Sequence, residues 1–155
     1  MSHTDVARAV VSAPPSRVFA ALVDEKARVE WLPPDGMSGR FTWFDARAGG
    51  GYRMVLAYDD PAQQGKSAAN TDVVDVRFVS VEEPYRLVEE ADFVSGDPAL
   101  AGTMTMTWTL EPAPDGTLVT ITATDVPDGI SSEDHAAAFA STLSNLDGYL
   151  AAERG

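Results

Sequence analysis

The stretch "SSEDHAAAFASTLSNLDGYLA" (131–151) carries the longest helical signal in the chain. Ser131 with Asp134 three residues on resembles a capping box, Asp standing where Glu is usual. His135, Phe139, Thr142, Leu143, Leu146, Tyr149 and Leu150 then recur at helical spacing on one face. At 3.6 residues per turn the stripe runs for about five turns. A helix with one long apolar face needs an apolar surface to lie on.

The segments upstream supply that surface. "GTMTMTWTLEP" (102–112) alternates threonine with Met104, Met106, Trp108 and Leu110, the period of a strand with one apolar face. "GTLVTITATDV" (116–126) follows the turn "APDG". "TDVVDVRFVSV" (71–81) and "YRLVEEADFV" (85–94) meet at the turn Glu83–Pro84. "GRFTWFDA" (39–46) and "GYRMVLAYD" (51–59) flank "RAGG", a hairpin joint whose glycines suit positive φ. "HTDVARAVVSA" (3–13) is a further strand. Between it and the first hairpin, "PPSRVFAALVD" opens with a proline suited to a first helical turn, and "EKARVEWL" ends at Pro33 and Pro34. The prediction is an α+β fold in a single domain, residues 1–155. A curved antiparallel sheet of six to seven strands wraps around the long C-terminal helix, with two short helices after the first strand.

The composition narrows the function. At 155 residues, 45% hydrophobic and 23% charged, the chain is long enough to bury a core. A formal net charge of −13 repels phosphate backbones and anionic lipid, so nucleic acid is not an expected partner. No apolar run approaches the length of a membrane span, and the N-terminus does not read as a secretory signal. With no cysteine there are no disulfides, thiolate metal sites or cysteine nucleophiles, and a cytoplasmic location is expected.

Four segments resemble a known family: "VSAPPSRVFAALVDEKARVEWLPP", "FDARAGGGYRM", "VVDVRFVSVEEPYRLV" and "HAAAFASTLSNLDGYLA". Together they are similar to the START-like (SRPBCC) superfamily and, within it, the Aha1-type group related to the activator of Hsp90 ATPase. The resemblance implies a helix-grip fold with a deep, mainly apolar cavity between sheet and C-terminal helix. Its members include lipid and hormone binders, polyketide cyclases and aromatases, and co-chaperone domains. Ala138–Phe139 stands where relatives commonly have Gly-Trp, and Trp31–Leu32 where they often have two tryptophans, so the cavity should differ in shape.

Few residues point to chemistry. The only histidines, His3 and His135, form no metal-binding pattern, and neither a metal nor another cofactor is expected. "GMSGR" (36–40) matches a nucleophile elbow only superficially, and no catalytic residue is nominated. Met54, Met104 and Met106, flexible gap-fillers, are candidates for a cavity wall. Phe41, Trp43, Tyr58 and Trp108 join them, as do His135, Phe139 and Leu143 from the helix. Trp31, Leu32 and Met37, in "EWLPPDGMSGRF" (30–41), are expected to cap the grip at one end. His135 could bind ligand or move protons, although a half-exposed helix-end histidine is the simpler reading. Strand alternation puts Glu89 on one face and Glu90 and Asp92 on the other. An acidic edge strand is the preferred explanation over a buried base. Arg53 and Arg77 are expected to face outward in salt bridges. The loops at 59–72 and 95–102 are candidate lids.

Three functions are in view. The first is binding of a small hydrophobic molecule in the internal cavity. The second is an enzyme of the polyketide cyclase or aromatase type, for which His135, Tyr58, Glu90 and Arg40 are the available polar groups. The third, a chaperone partner that activates an ATPase, ranks last, because the chain offers one domain and no additional N-terminal module. A homodimer is expected only on general grounds.

Overall fold

The computed structural model describes residues 3–60 and 70–154. The elements are β1 (His3–Val11), α1 (Pro15–Val23), α2 (Glu25–Trp31), β2 (Met37–Asp45), β3 (Gly51–Tyr58), β4 (Thr71–Glu82), β5 (Arg86–Phe93), β6 (Met104–Ala113), β7 (Gly116–Val126) and α3 (Ser132–Arg154). The predicted α+β helix-grip architecture is what forms.

The seven strands make one antiparallel sheet in the order β1-β7-β6-β5-β4-β3-β2. From β2 to β7 each strand pairs with the next in sequence, the meander that short turns dictate. At the β2–β3 joint Gly49 has φ +87° and Gly51 φ +155°, and a Cβ on Gly51 would collide with the Val76 carbonyl oxygen. Only glycine fits there.

Helix starts follow the expected chemistry. Pro15 occupies the first turn of α1, and the Asp24 side chain accepts the Lys26 N–H at 3.2 Å to cap α2. The Ser131 hydroxyl accepts the Asp134 N–H at 3.0 Å at the head of α3. Along α3, Phe139, Leu143, Leu146 and Leu150 are buried with Val18, Phe19 and Leu22 of α1 and the inner faces of β6 and β7. No helix among the described residues is long and apolar enough to cross a membrane.

One topological expectation is corrected. β5 is the central strand of the sheet, with β6 on one side and β4 on the other, so its acidic residues do not guard an edge. Glu90 and Asp92 face outward and pair with Arg77 at 3.4 and 2.9 Å, while Arg53 pairs with Asp75 at 2.6 Å. Glu89 points inward and is buried.

Candidate functional site

The helix does not cover the sheet evenly. α3 packs chiefly against β1, α2 and α1, and stands off the inner faces of β3 to β6. The gap is a cavity of about 640 Å³, within the range of small-molecule sites. Met54, Met104 and Met106 form much of its sheet wall with Leu56 and Val74, and Phe139 and His135 face them from α3. Met37 and Tyr58 complete the sequence-nominated residues in the wall. Leu32 lines it too, held by hydrogen bonds between α3 and the loop after α2. Thr142 Oγ1 donates to the Leu32 carbonyl at 3.1 Å, Asn145 Nδ2 to the Pro33 carbonyl at 3.0 Å, and the Asp35 N–H donates to Ser141 Oγ at 2.8 Å.

Five nominated residues lie outside the wall, and each is a correction. Trp31 is fully buried in the core, edge-to-face with Trp108 at 5.6 Å, and its indole donates to the Ala21 carbonyl at 3.0 Å. Trp108 is also core, its indole donating to Glu89 Oε1 at 2.5 Å. Both polar N–H groups are thus satisfied by protein rather than by a ligand. Leu143 belongs to the core-facing ridge of α3 with Leu146 and Leu150, whereas His135, Ala138 and Thr142 form the ridge that meets the cavity. Phe41 packs with Phe44 and Tyr52, both at 4.9 Å between ring centroids. Trp43 is 49% exposed on the outer face. A β-bulge between Phe41 and Trp43 is the cause: it inserts a residue, so Trp43 turns out and Phe44 turns in.

The inner end of the cavity holds a polar cluster that the sequence reading missed. Arg28 from α2 is 1% exposed, and its Nη2 donates to both oxygens of Glu89 at 2.9 and 2.8 Å. Its Nη1 donates to the Leu22 carbonyl at 2.9 Å, one of the carbonyls left unpaired at the end of α1. The guanidinium carbon sits 5.0 Å from the Tyr52 ring centroid, 5.6 Å from Trp31, and 5.8 Å from Phe78 and Trp108. Burial disfavours the charge on Arg28, but the Glu89 carboxylate and then Tyr52 outweigh it and hold the guanidinium pKa above its ordinary value. Burial also pushes the Tyr52 phenol well above its ordinary value. Arg28, Tyr52 and Glu89 all line the cavity. The one signal in the sequence was the alternation that set Glu89 opposite Glu90. For the enzyme reading, Glu90 and Arg40 are corrected: both lie outside the wall, and Glu89 is the inward carboxylate.

Nearer the opening, Tyr58 Oη donates to Asp72 Oδ2 at 3.3 Å. His135 is 7% exposed, not half-exposed. Its ring lies 4.0 Å from that of Phe139, and its Nδ1 is 2.7 Å from Asp5 Oδ2, which His3 Nε2 also approaches at 3.1 Å. A bulge between His3 and Asp5 in β1 brings these groups together. Burial raises the Asp5 pKa, but hydrogen bonds from His135 and Ser132 outweigh it and leave the carboxyl below its ordinary value. Among the described residues no group of His, Asp and Glu side chains is placed to hold a metal ion. Of the two lid candidates, the first falls on residues 61–69, outside the described residues. The second forms a 3-10 turn, Pro98–Leu100, with Leu100 buried and the Ala99 carbonyl accepting the Gly129 N–H at 2.7 Å. Gly129 and Ile130 line the cavity, so this loop braces the wall from behind.

A family model described as activator of Hsp90 ATPase homolog 1-like protein matches residues 12–151. In three dimensions the chain is similar to a Chromobacterium violaceum protein at 29% identity, covering 94% of each chain with a TM-score of 0.82. A Rhodobacter sphaeroides protein shares 22% identity over 96% of this chain and 93% of its own, with a TM-score of 0.75. A Mycobacterium smegmatis protein shares 18% over 95% of this chain and 90% of its own, with a TM-score of 0.72. The last two, at such identity, speak to the fold alone. Among curated proteins none matches the chain. The chain therefore belongs to the activator of Hsp90 ATPase homolog 1-like family, an Aha1-type branch of the START-like superfamily whose helix-grip fold is in general that of a ligand-binding domain.

Proposed function

We propose that residues 1–155 act as one domain that binds a small hydrophobic molecule in the cavity between the sheet and α3. The observation that carries this reading is the cavity itself, about 640 Å³ and walled by Met37, Met54, Met104, Met106 and Phe139. A fold that only needed stability would close such a gap, because unfilled apolar volume weakens a core. Methionine suits a wall that must adapt to its guest. The protein would act in the cytoplasm on a ligand poorly soluble in water.

Native mass spectrometry of the purified protein tests the proposal directly. A bound mass that is released on denaturation and extracted as a hydrophobic compound is the expected result. A ligand-free protein whose melting temperature is unmoved by a panel of hydrophobic compounds would overturn it.

A second reading, an enzyme acting on the same guest, draws on one observation. Asp5 fixes His135 through Nδ1 in the cavity wall, the arrangement by which a carboxylate orients an imidazole for proton transfer. Turnover of the extracted ligand that disappears in His135→Gln, while binding persists, would establish it. Binding without turnover leaves the first reading standing alone.

A further inference from the structure

We infer that the ligand of this cavity is an apolar molecule with one uncharged oxygen, a hydroxyl or ketone, at its leading end, seated on Arg28, Tyr52 and Glu89. The inference rests on the cavity being a ligand site and concerns what that site selects.

The cavity wall is chemically unbalanced. Most of the wall is hydrocarbon or thioether, yet its inner end holds an ion pair and a phenol. A buried ion pair is weak support for stability, since taking two charges out of water offsets their attraction. Nor is this one complete. Arg28 satisfies Leu22 and Glu89, but its Nε–H is buried with no acceptor. Buried donors are rarely left this way in a network that serves packing alone. The Tyr52 ring lies beside the guanidinium, 5.0 Å from its carbon, and burial keeps the phenol protonated, so it has a proton to give. The Tyr52 O–H is thus the donor available to a ligand oxygen, and the Glu89 carboxylate can accept from a hydroxyl.

Charge then selects among oxygens. Arg28 and Glu89 cancel each other, and Tyr52 is neutral. A carboxylate or ammonium brought to this end would be an unpaired charge against a mostly apolar wall. An anion would also have to pass Asp35 and Asp134, both exposed on the cavity rim. A neutral hydroxyl or ketone avoids both penalties.

The test uses one aromatic body with different heads: naphthalene, 2-naphthol, 2-acetylnaphthalene, 2-naphthoate and 2-naphthylmethylammonium, titrated calorimetrically into the whole protein. The naphthol and the ketone should bind about tenfold more tightly than naphthalene, the gain of one net hydrogen bond, and both ions more weakly than naphthalene. In Tyr52→Phe the advantage of the neutral oxygen should shrink to about twofold, with naphthalene unchanged. Equal binding of naphthalene and naphthol, or a preference for naphthoate, overturns this inference while the cavity reading stands. Binding of none of the five overturns both.

Discussion

The two ends of the grip between sheet and helix differ sharply, although both are built from strands of the same alternating pattern. At one end α1, α2 and the Leu143–Leu146–Leu150 ridge of α3 close on Trp31, Trp108 and β7, and the interior is solid. At the other, α3 leans away from β3 to β6 and leaves the methionine-walled cavity. The passage from one to the other runs through adjacent residues: Trp31 belongs to the core, Leu32 to the cavity wall. Alternation makes a face apolar; the element packed on that face decides whether it becomes core or cavity.

Mutations at the two ends should separate these roles. Glu89→Ala, at the junction, should have the largest effect, about 3–5 kcal/mol of stability by denaturant unfolding, because it strands the Arg28 charge and the Trp108 N–H. A loss below about 1 kcal/mol would mean the cluster is wetter than its burial indicates. Trp31→Ala should cost about 3–4 kcal/mol yet leave the affinity of the surviving folded protein for hydrophobic probes unchanged. A weakened affinity would put Trp31 back among the ligand contacts. Met106→Ala, on the cavity side, should reverse that pattern, with about 1–2 kcal/mol lost, at or below the lower end for a buried methionine, and an altered probe affinity.

The opening of the cavity should also respond to acid. The Asp5 carboxyl lies below its ordinary 3.8 when folded, so its contribution is present above that value and is lost as pH falls through the folded-state pKa. Stability measured from pH 6 downward should therefore drop more steeply in the wild type than in Asp5→Asn; parallel curves would remove Asp5 from the account. Smallest of all, Trp43→Ala should change stability by no more than about 0.5 kcal/mol, as at other exposed positions.

Much of this was legible in the chain. The apolar stripe of α3, the threonine–methionine alternation of β6 and the glycine joint before β3 each state a local rule, and the fold obeys all three. The methionines could be assigned to the inner face by period alone. Trp43 could not, because the bulge that reverses it breaks the very period the assignment used. Trp31 and Trp108 depart from expectation for another reason: large aromatic residues suit a core and a ligand wall equally well, and only their neighbours distinguish the two. Alternation sets Glu89 opposite Glu90 without saying which of them faces inward, and the edge position expected for their strand is one the sheet order does not give it.

By itself the sequence determined the elements, their order and which faces are apolar, because those depend on spacing and capping over a few residues. The tertiary structure decided where sheet and helix part to leave a cavity. It also brought Arg28 against Glu89, 61 residues away in the chain, and His135 against Asp5, 130 residues away. Such pairings join groups distant in sequence, and no local period encodes them.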